Sequence, residues 1–164
     1  MTLYQLNVFV HVLAAVVWLG GMFFLGAVGA PVLRKVEPAK LRASLFREIG
    51  VQFRGLGWTA IVILVATGIV NLHYRGLLTG QVWSEWTFWS TGYGRILATK
   101  IFLVVAMIGV QGVHDFALGP AASRATPGSS TALRLRKWAA WLARVNTILG
   151  VVLIYVAVRL ARGG

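Results

Sequence analysis

Long apolar runs alternate with short basic stretches along this chain. No charged residue occurs from Leu3 to Leu33, and Pro31 marks the end of that run. A spanning helix needs about 20 apolar residues, so the run is long enough to cross a membrane. A second uncharged run covers Gly55 to Tyr74. A third, Ile96 to Leu118, is interrupted by Lys100, His114 and Asp115, and a fourth, Trp138 to Leu160, by Arg144 and Arg159. Most of these interruptions lie near a helix end, where long side chains reach the headgroups. The pattern predicts an all-α integral membrane protein: one domain over residues 1–164, folded as a bundle of four transmembrane helices at about 3–31, 55–75, 95–118 and 138–160.

The connecting stretches have their own character. Arg34 to Arg54 is basic and predicts a short surface helix with Pro38 in its first turn. Arg75 to Gly94 carries Trp83, Trp86, Trp89 and Tyr93. A three-residue tryptophan spacing places these rings on one side of a helix. Trp and Tyr favour the headgroup level, which predicts a short interfacial element between helices two and three. Gly119 to Thr131 reads as a loop, and no internal repeat is legible. The first run is too long for a signal-peptide core and lacks a basic leader, so it is expected to stay as a span.

Composition narrows the class. Of 164 residues, 58% are hydrophobic and 12% charged, against about 25% charged in soluble domains. Disorder is excluded, and a soluble enzyme has too small a core to hide this much apolar surface. With no cysteine, disulfides, thiolate metal sites and cysteine nucleophiles are excluded. The net charge of +12 sits between the apolar runs, which points to anionic lipid headgroups and not to nucleic acid. Eleven basic residues flank the loops after helices one and three, and five lie on the other side. That excess places both termini outward in the inner membrane of a prokaryote.

Ionisable side chains within spans are functional candidates. An outward set comprises His11, His73, Arg95 and Lys100; an inward set comprises His114, Asp115 and Arg144. Two imidazoles from different helices at one level are what a six-coordinate b-type haem requires, which makes His11 and His73 the candidate axial ligands. Arg75, Arg95 and Lys100 are candidate partners for its propionates. The plain alternative is that both histidines bond to neighbouring backbone or side chains. Lys100, Val104, Met107, Gln111 and His114 share one helical face, read either as a packing seam or as a cofactor or proton path. His11, Trp18, Met22 and Leu25 share another, with Met22 a soft donor for copper or haem.

Two segments resemble known families. His11-Val-Leu-Ala-Ala-Val-Val-Trp18-Leu-Gly20-Gly21 and Tyr93-Gly94-Arg95-Ile-Leu-Ala-Thr-Lys100 are similar to the CopD copper-resistance membrane domain and to the HemJ-type protoporphyrinogen oxidases. The HemJ resemblance implies bound haem b and functional roles for His11 and Lys100, with Lys100 the catalytic candidate. The CopD resemblance implies copper uptake or resistance, with copper as the alternative cofactor. Neither pattern is complete: His73 is not a HemJ position, and the only methionines are Met1, Met22 and Met107. Three readings stay open. One is a haem-b redox protein engaging a redox partner, a quinol or a porphyrinogen. The second is a copper-handling component, and the third a cofactor-free subunit of a homo-oligomer or larger membrane complex.

Overall fold

The computed structural model describes residues 1–126 and 128–163. They fold as two compact units, Met1–Gly80 and Gln81–Gly164, each a helical hairpin. The first arm of hairpin one is α1 (Leu3–Phe24), a π turn (Leu25–Gly29) and α2 (Ala30–Leu33); the second arm is α3 (Ala39–Tyr74). Hairpin two follows the short helices α4 (Gly80–Ser84) and α5 (Trp86–Ser90). Its first arm is α6 (Gly92–Gly112), a π turn (Val113–Leu118) and α7 (Gly119–Arg124), and its second is α8 (Ser130–Ala161). All four arms are long and apolar enough to cross a membrane. Their outer faces expose apolar side chains such as Phe9, Val16, Phe102 and Ile148, as lipid contact requires.

Local chemistry sets the ends. A capping box joins Thr2 and Gln5 at the start of α1, and the hydroxyls of Thr91 and Ser129 accept the N–H groups of Gly94 and Ala132 at the starts of α6 and α8. These satisfy donors with no partner inside the helix. Proline inside a helix removes a donor and clashes with the carbonyl four residues back. Both first arms carry one, Pro31 and Pro120, and in both a π turn comes just before it. Ala30 N–H bonds Leu25 O and Gly119 N–H bonds His114 O, each five residues back. Each proline then falls in the first turn of the next α segment, where no donor is needed.

The elements differ from expectation in four places. The basic stretch before Gly55 is the first part of the 36-residue α3, not a separate surface helix, because nothing between Arg54 and Gly55 stops the hydrogen-bond ladder. For the same reason α8 begins at Ser130, well before the apolar run. Residues 119–124 are helical rather than loop, with Pro120 in the first turn. The tryptophan segment breaks at Glu85, whose extended backbone caps α5. Trp83 and Trp89 therefore meet edge-on with centroids 5.3 Å apart, while Trp86 points away and is 81% exposed.

α1 and α3 run antiparallel, with Ala14, Trp18 and Leu19 buried on one helix and Gly57, Ala60 and Ile61 on the other. The missing side chain at Gly57 makes room for the Trp18 indole, whose Nε1 lies 3.8 Å from where a Cβ would sit. That buried nitrogen has no hydrogen-bond partner among the described residues. In hairpin two, α6 buries Leu97, Leu103, Met107 and Gln111, and α8 buries Asn146, Gly150, Val156 and Leu160.

The two hairpins share a design that was not legible in the sequence. Pro31 and Pro120 are 89 positions apart, and so are His11 and Lys100, Ala14 and Leu103, Trp18 and Met107, and Met22 and Gln111. Ala14, Leu103, Trp18 and Met107 are all buried. Each unit pairs a first arm carrying a π turn and proline with an uninterrupted second arm. The expectation of no internal repeat is corrected: the repeat lies in backbone geometry and burial, and side-chain identity has diverged across it.

Candidate functional site

Polar side chains gather at one end of hairpin one. Asn7 Nδ2 donates to Thr67 O at 3.0 Å and to Asn71 Oδ1 at 2.9 Å. His11 Nδ1 lies 2.7 Å from Thr67 Oγ1, and the Thr67 hydroxyl donates its single proton to Ile63 O at 2.6 Å. Thr67 Oγ1 is then the acceptor, and His11 Nδ1 carries the hydrogen. This tautomer, assigned from hydrogen-bond roles, leaves Nε2 as the basic nitrogen. Tyr4 and Tyr74 meet edge-on at 5.2 Å towards the hairpin's open end.

These contacts fix the register: Tyr4 opposes Tyr74, Asn7 opposes Asn71, and His11 opposes Thr67. His73 is exposed and stacks edge-on against Tyr74 at 6.0 Å. It lies about 9 Å along α3 from Thr67 and about 120° around it. Hairpin one therefore does not bring His11 and His73 to one level or one face. Arg75, also exposed, is the C-cap of α3: its N–H bonds Asn71 O, and the N–H of Gly76 bonds His73 O. In hairpin two, Arg95 is exposed near the start of α6 and Lys100 is half-buried. Five residues separate them, so they occupy different faces. Lys100 shares its face with the buried Met107 and Gln111. Among the described residues no group of three or more His, Cys, Asp or Glu is placed to hold a metal ion.

A second polar cluster is buried in hairpin two. Asn146 Nδ2 donates to Gln111 Oε1 at 2.8 Å, and Gln111 Nε2 donates to Asp115 Oδ2 at 2.7 Å. His114 Nδ1 lies 2.8 Å from Asp115 Oδ1. Asn146 is 2% exposed, and Gln111 and Asp115 are 7% exposed. Interhelical hydrogen bonds in membranes average about 0.6 kcal/mol, while a buried acceptor left unmade costs about 1–3 kcal/mol. Asn146→Leu strips Gln111 Oε1 of this donor, so it is expected to destabilise the protein by about 1–2 kcal/mol. A lowered thermal unfolding midpoint in detergent checks this, and an unchanged midpoint contradicts it.

Thr67, Asn7, Asn71 and Asn146 escaped the sequence reading, which searched for ionisable groups. Their signal was present as amides and a hydroxyl inside apolar helices, where polar side chains turn towards a partner helix.

Fold and clusters define a polytopic α-helical membrane protein with polar side chains held between the arms of each hairpin. The family profile described as copper resistance protein D matches residues 47–160, and the chain belongs to that family. It is 30% identical over 160 residues to an uncharacterized protein of Aquifex aeolicus (strain VF5), spanning 97% of this chain and 96% of that one. No solved structure matches it.

Proposed function

We propose that this CopD-family protein binds a b-type haem that His11 would hold, and that it acts in electron transfer or in oxidation of a porphyrinogen or quinol. The His11–Thr67–Ile63 chain of hydrogen bonds carries the proposal. A ligating imidazole almost always donates its other N–H to a fixed acceptor, and Thr67 is that acceptor here. The donor set fits haem better than a protein-built copper cage: the porphyrin brings four of the nitrogens and needs only one or two from the chain. Copper sites draw on several His, Met or Cys ligands.

In this reading His11 holds the iron, and Thr67 keeps the ring oriented and Nε2 basic. Arg75, in the same unit as His11, supplies a cation for a propionate; Arg95 and Lys100, in the second unit, keep the roles that the sequence assigns them, with Lys100 the residue assigned to the reaction. The bound haem supplies one-electron chemistry. His73, at another level and on another face of α3, takes no part in this reading.

The test is the visible spectrum of the protein purified in mild detergent. Sharp α and β bands on reduction support the reading. A colourless protein, with or without copper, overturns it. The proposal also places both termini on the outer side. The chain has no cysteine, so exposed positions Lys40 and Thr126 can be replaced singly by Cys. An impermeant thiol reagent is expected to reach them only after the membrane is opened. Labelling of intact cells reverses the orientation.

A further inference from the structure

The cluster in hairpin two is a built site that the haem reading leaves unused. Asp115 is a carboxylate buried between apolar helices, tolerable only if its oxygens are bonded. The direction of each bond follows from the chain. Asn146 donates to the oxygen of Gln111, so Gln111 turns its NH₂ to Asp115 Oδ2. His114 Nδ1 faces the other oxygen. Gln111 donates to one oxygen, and a carboxylate that accepts at both oxygens assigns the hydrogen to His114 Nδ1. Amide side chains neither gain nor lose protons in this role. The run to Asn146 is therefore a brace that holds Asp115 and does not conduct.

Of the partners named here His114 is the one that can exchange a proton, and its side chain is 33% exposed against 7% for Asp115. With Nδ1–H given to Asp115, the basic nitrogen is Nε2. A base whose far side is gripped by a buried carboxylate is the arrangement that sets an imidazole up to take protons. The backbone contributes too: His114 O accepts the N–H of Gly119 in the π turn, and such widened turns are frequent at functional sites. At this end of the elements packed against the turn the other charged groups are Arg124 on α7 and Arg134, Arg136, Lys137 and Arg144 on α8, all exposed cations, while Arg95 and Lys100 on α6 and Arg159 on α8 lie towards the far ends of those helices. We infer that His114 is an oriented proton-exchange base at the basic end of hairpin two, positioned by Asp115 and braced by Gln111 and Asn146. It exchanges protons with water or with a hydroxyl-bearing molecule at that surface.

Diethyl pyrocarbonate tests this, because it acylates a neutral, accessible imidazole nitrogen in proportion to its nucleophilicity. The chain has three histidines, so mass spectrometry of the full-length protein in detergent gives each rate separately. At about pH 8.5 free imidazoles are neutral. There His114 is expected to react faster than the more exposed His73. Asp115→Asn and Gln111→Leu are each expected to slow it by about fivefold or more, leaving the His73 rate unchanged. Nitrogen-15 NMR of histidine-labelled protein is expected to show His114 in the Nδ1–H tautomer. A His114 rate at or below that of His73, a rate indifferent to both substitutions, or the Nε2–H tautomer overturns the inference. If neither variant folds, the wild-type rate order and tautomer decide it.

Discussion

His11→Ala is expected, on the proposed haem function, to remove nearly all haem, and Thr67→Val to weaken haem binding by about 10- to 100-fold, the usual loss when the partner of a ligating histidine is removed. Valine keeps the shape of threonine and deletes the oxygen that accepts His11 Nδ1–H. The ring then loses its fixed tautomer while the packing of α1 on α3 survives. Thr67→Ser keeps the acceptor and is expected to bind haem as the wild type does. His114→Ala serves as the control, since its partners are Asp115 and the second hairpin. The measurement is haem per protein by pyridine haemochrome, titrated to give affinity. Full haem in His11→Ala removes the ligand assignment. Equal affinity in Thr67→Val and wild type removes the hydrogen-bond argument on which it rests.

Gly94→Ala is expected to be the most damaging single methyl in hairpin two. Gly94 is buried on α6, and a Cβ there would overlap the carbonyl oxygen of Phe88 while lying 2.9 Å from Phe88 C and 3.0 Å from Trp89 Cα. All three atoms are backbone, so no rotamer relieves the overlap and α5 must move off α6. That displacement disturbs the Phe88–Tyr93 ring contact between the two helices and the Thr91 cap on Gly94 N–H. The expected loss is about 3 kcal/mol or more, at the top of the overpacking range. Gly21→Ala is the comparison. Its Cβ would meet the ring end of Phe53, which can swing aside, so about 1 kcal/mol is expected. Thermal unfolding in detergent should separate the two variants. Equal shifts would mean that α5 slides freely on α6.

The four spans were readable because hydropathy reports directly what lipid contacts. Their true lengths were not, because hydropathy marks where lipid begins and says nothing about where the backbone ladder stops. Hence the early start of α3 at Ala39 and of α8 at Ser130. The π turns leave no trace in composition, since Leu25–Gly29 and Val113–Leu118 look like any apolar helix and differ only in bonding five residues back. With them the repeat stayed hidden. The facing surface of helix three was legible in its spacing, and Met107 and Gln111 are buried as that spacing implies. The separation of His11 from His73 was not, because counting residues from span ends cannot give the register of one helix against another. Three contacts between α1 and α3 supply it.

Each hairpin joins an interrupted arm to a continuous one, and this has a mechanical consequence. α3 and α8, at 36 and 32 residues, are about 54 and 48 Å long, well beyond the roughly 30 Å of hydrocarbon. They are stiff struts whose basic ends project into the headgroup layer or past it. A push on such an end, from a lipid or another protein, carries along the whole rod, because an unbroken ladder has no joint to absorb it. The arms with π turns and prolines are the compliant members, where strain collects and bending localises. In the first unit the strut bears Thr67, the clamp on His11. In the second it bears Asn146, the far end of the brace on Asp115. Load applied at the membrane surface is thereby coupled to the geometry of both polar clusters, and the joints beside Pro31 and Pro120 set how much of it each cluster feels.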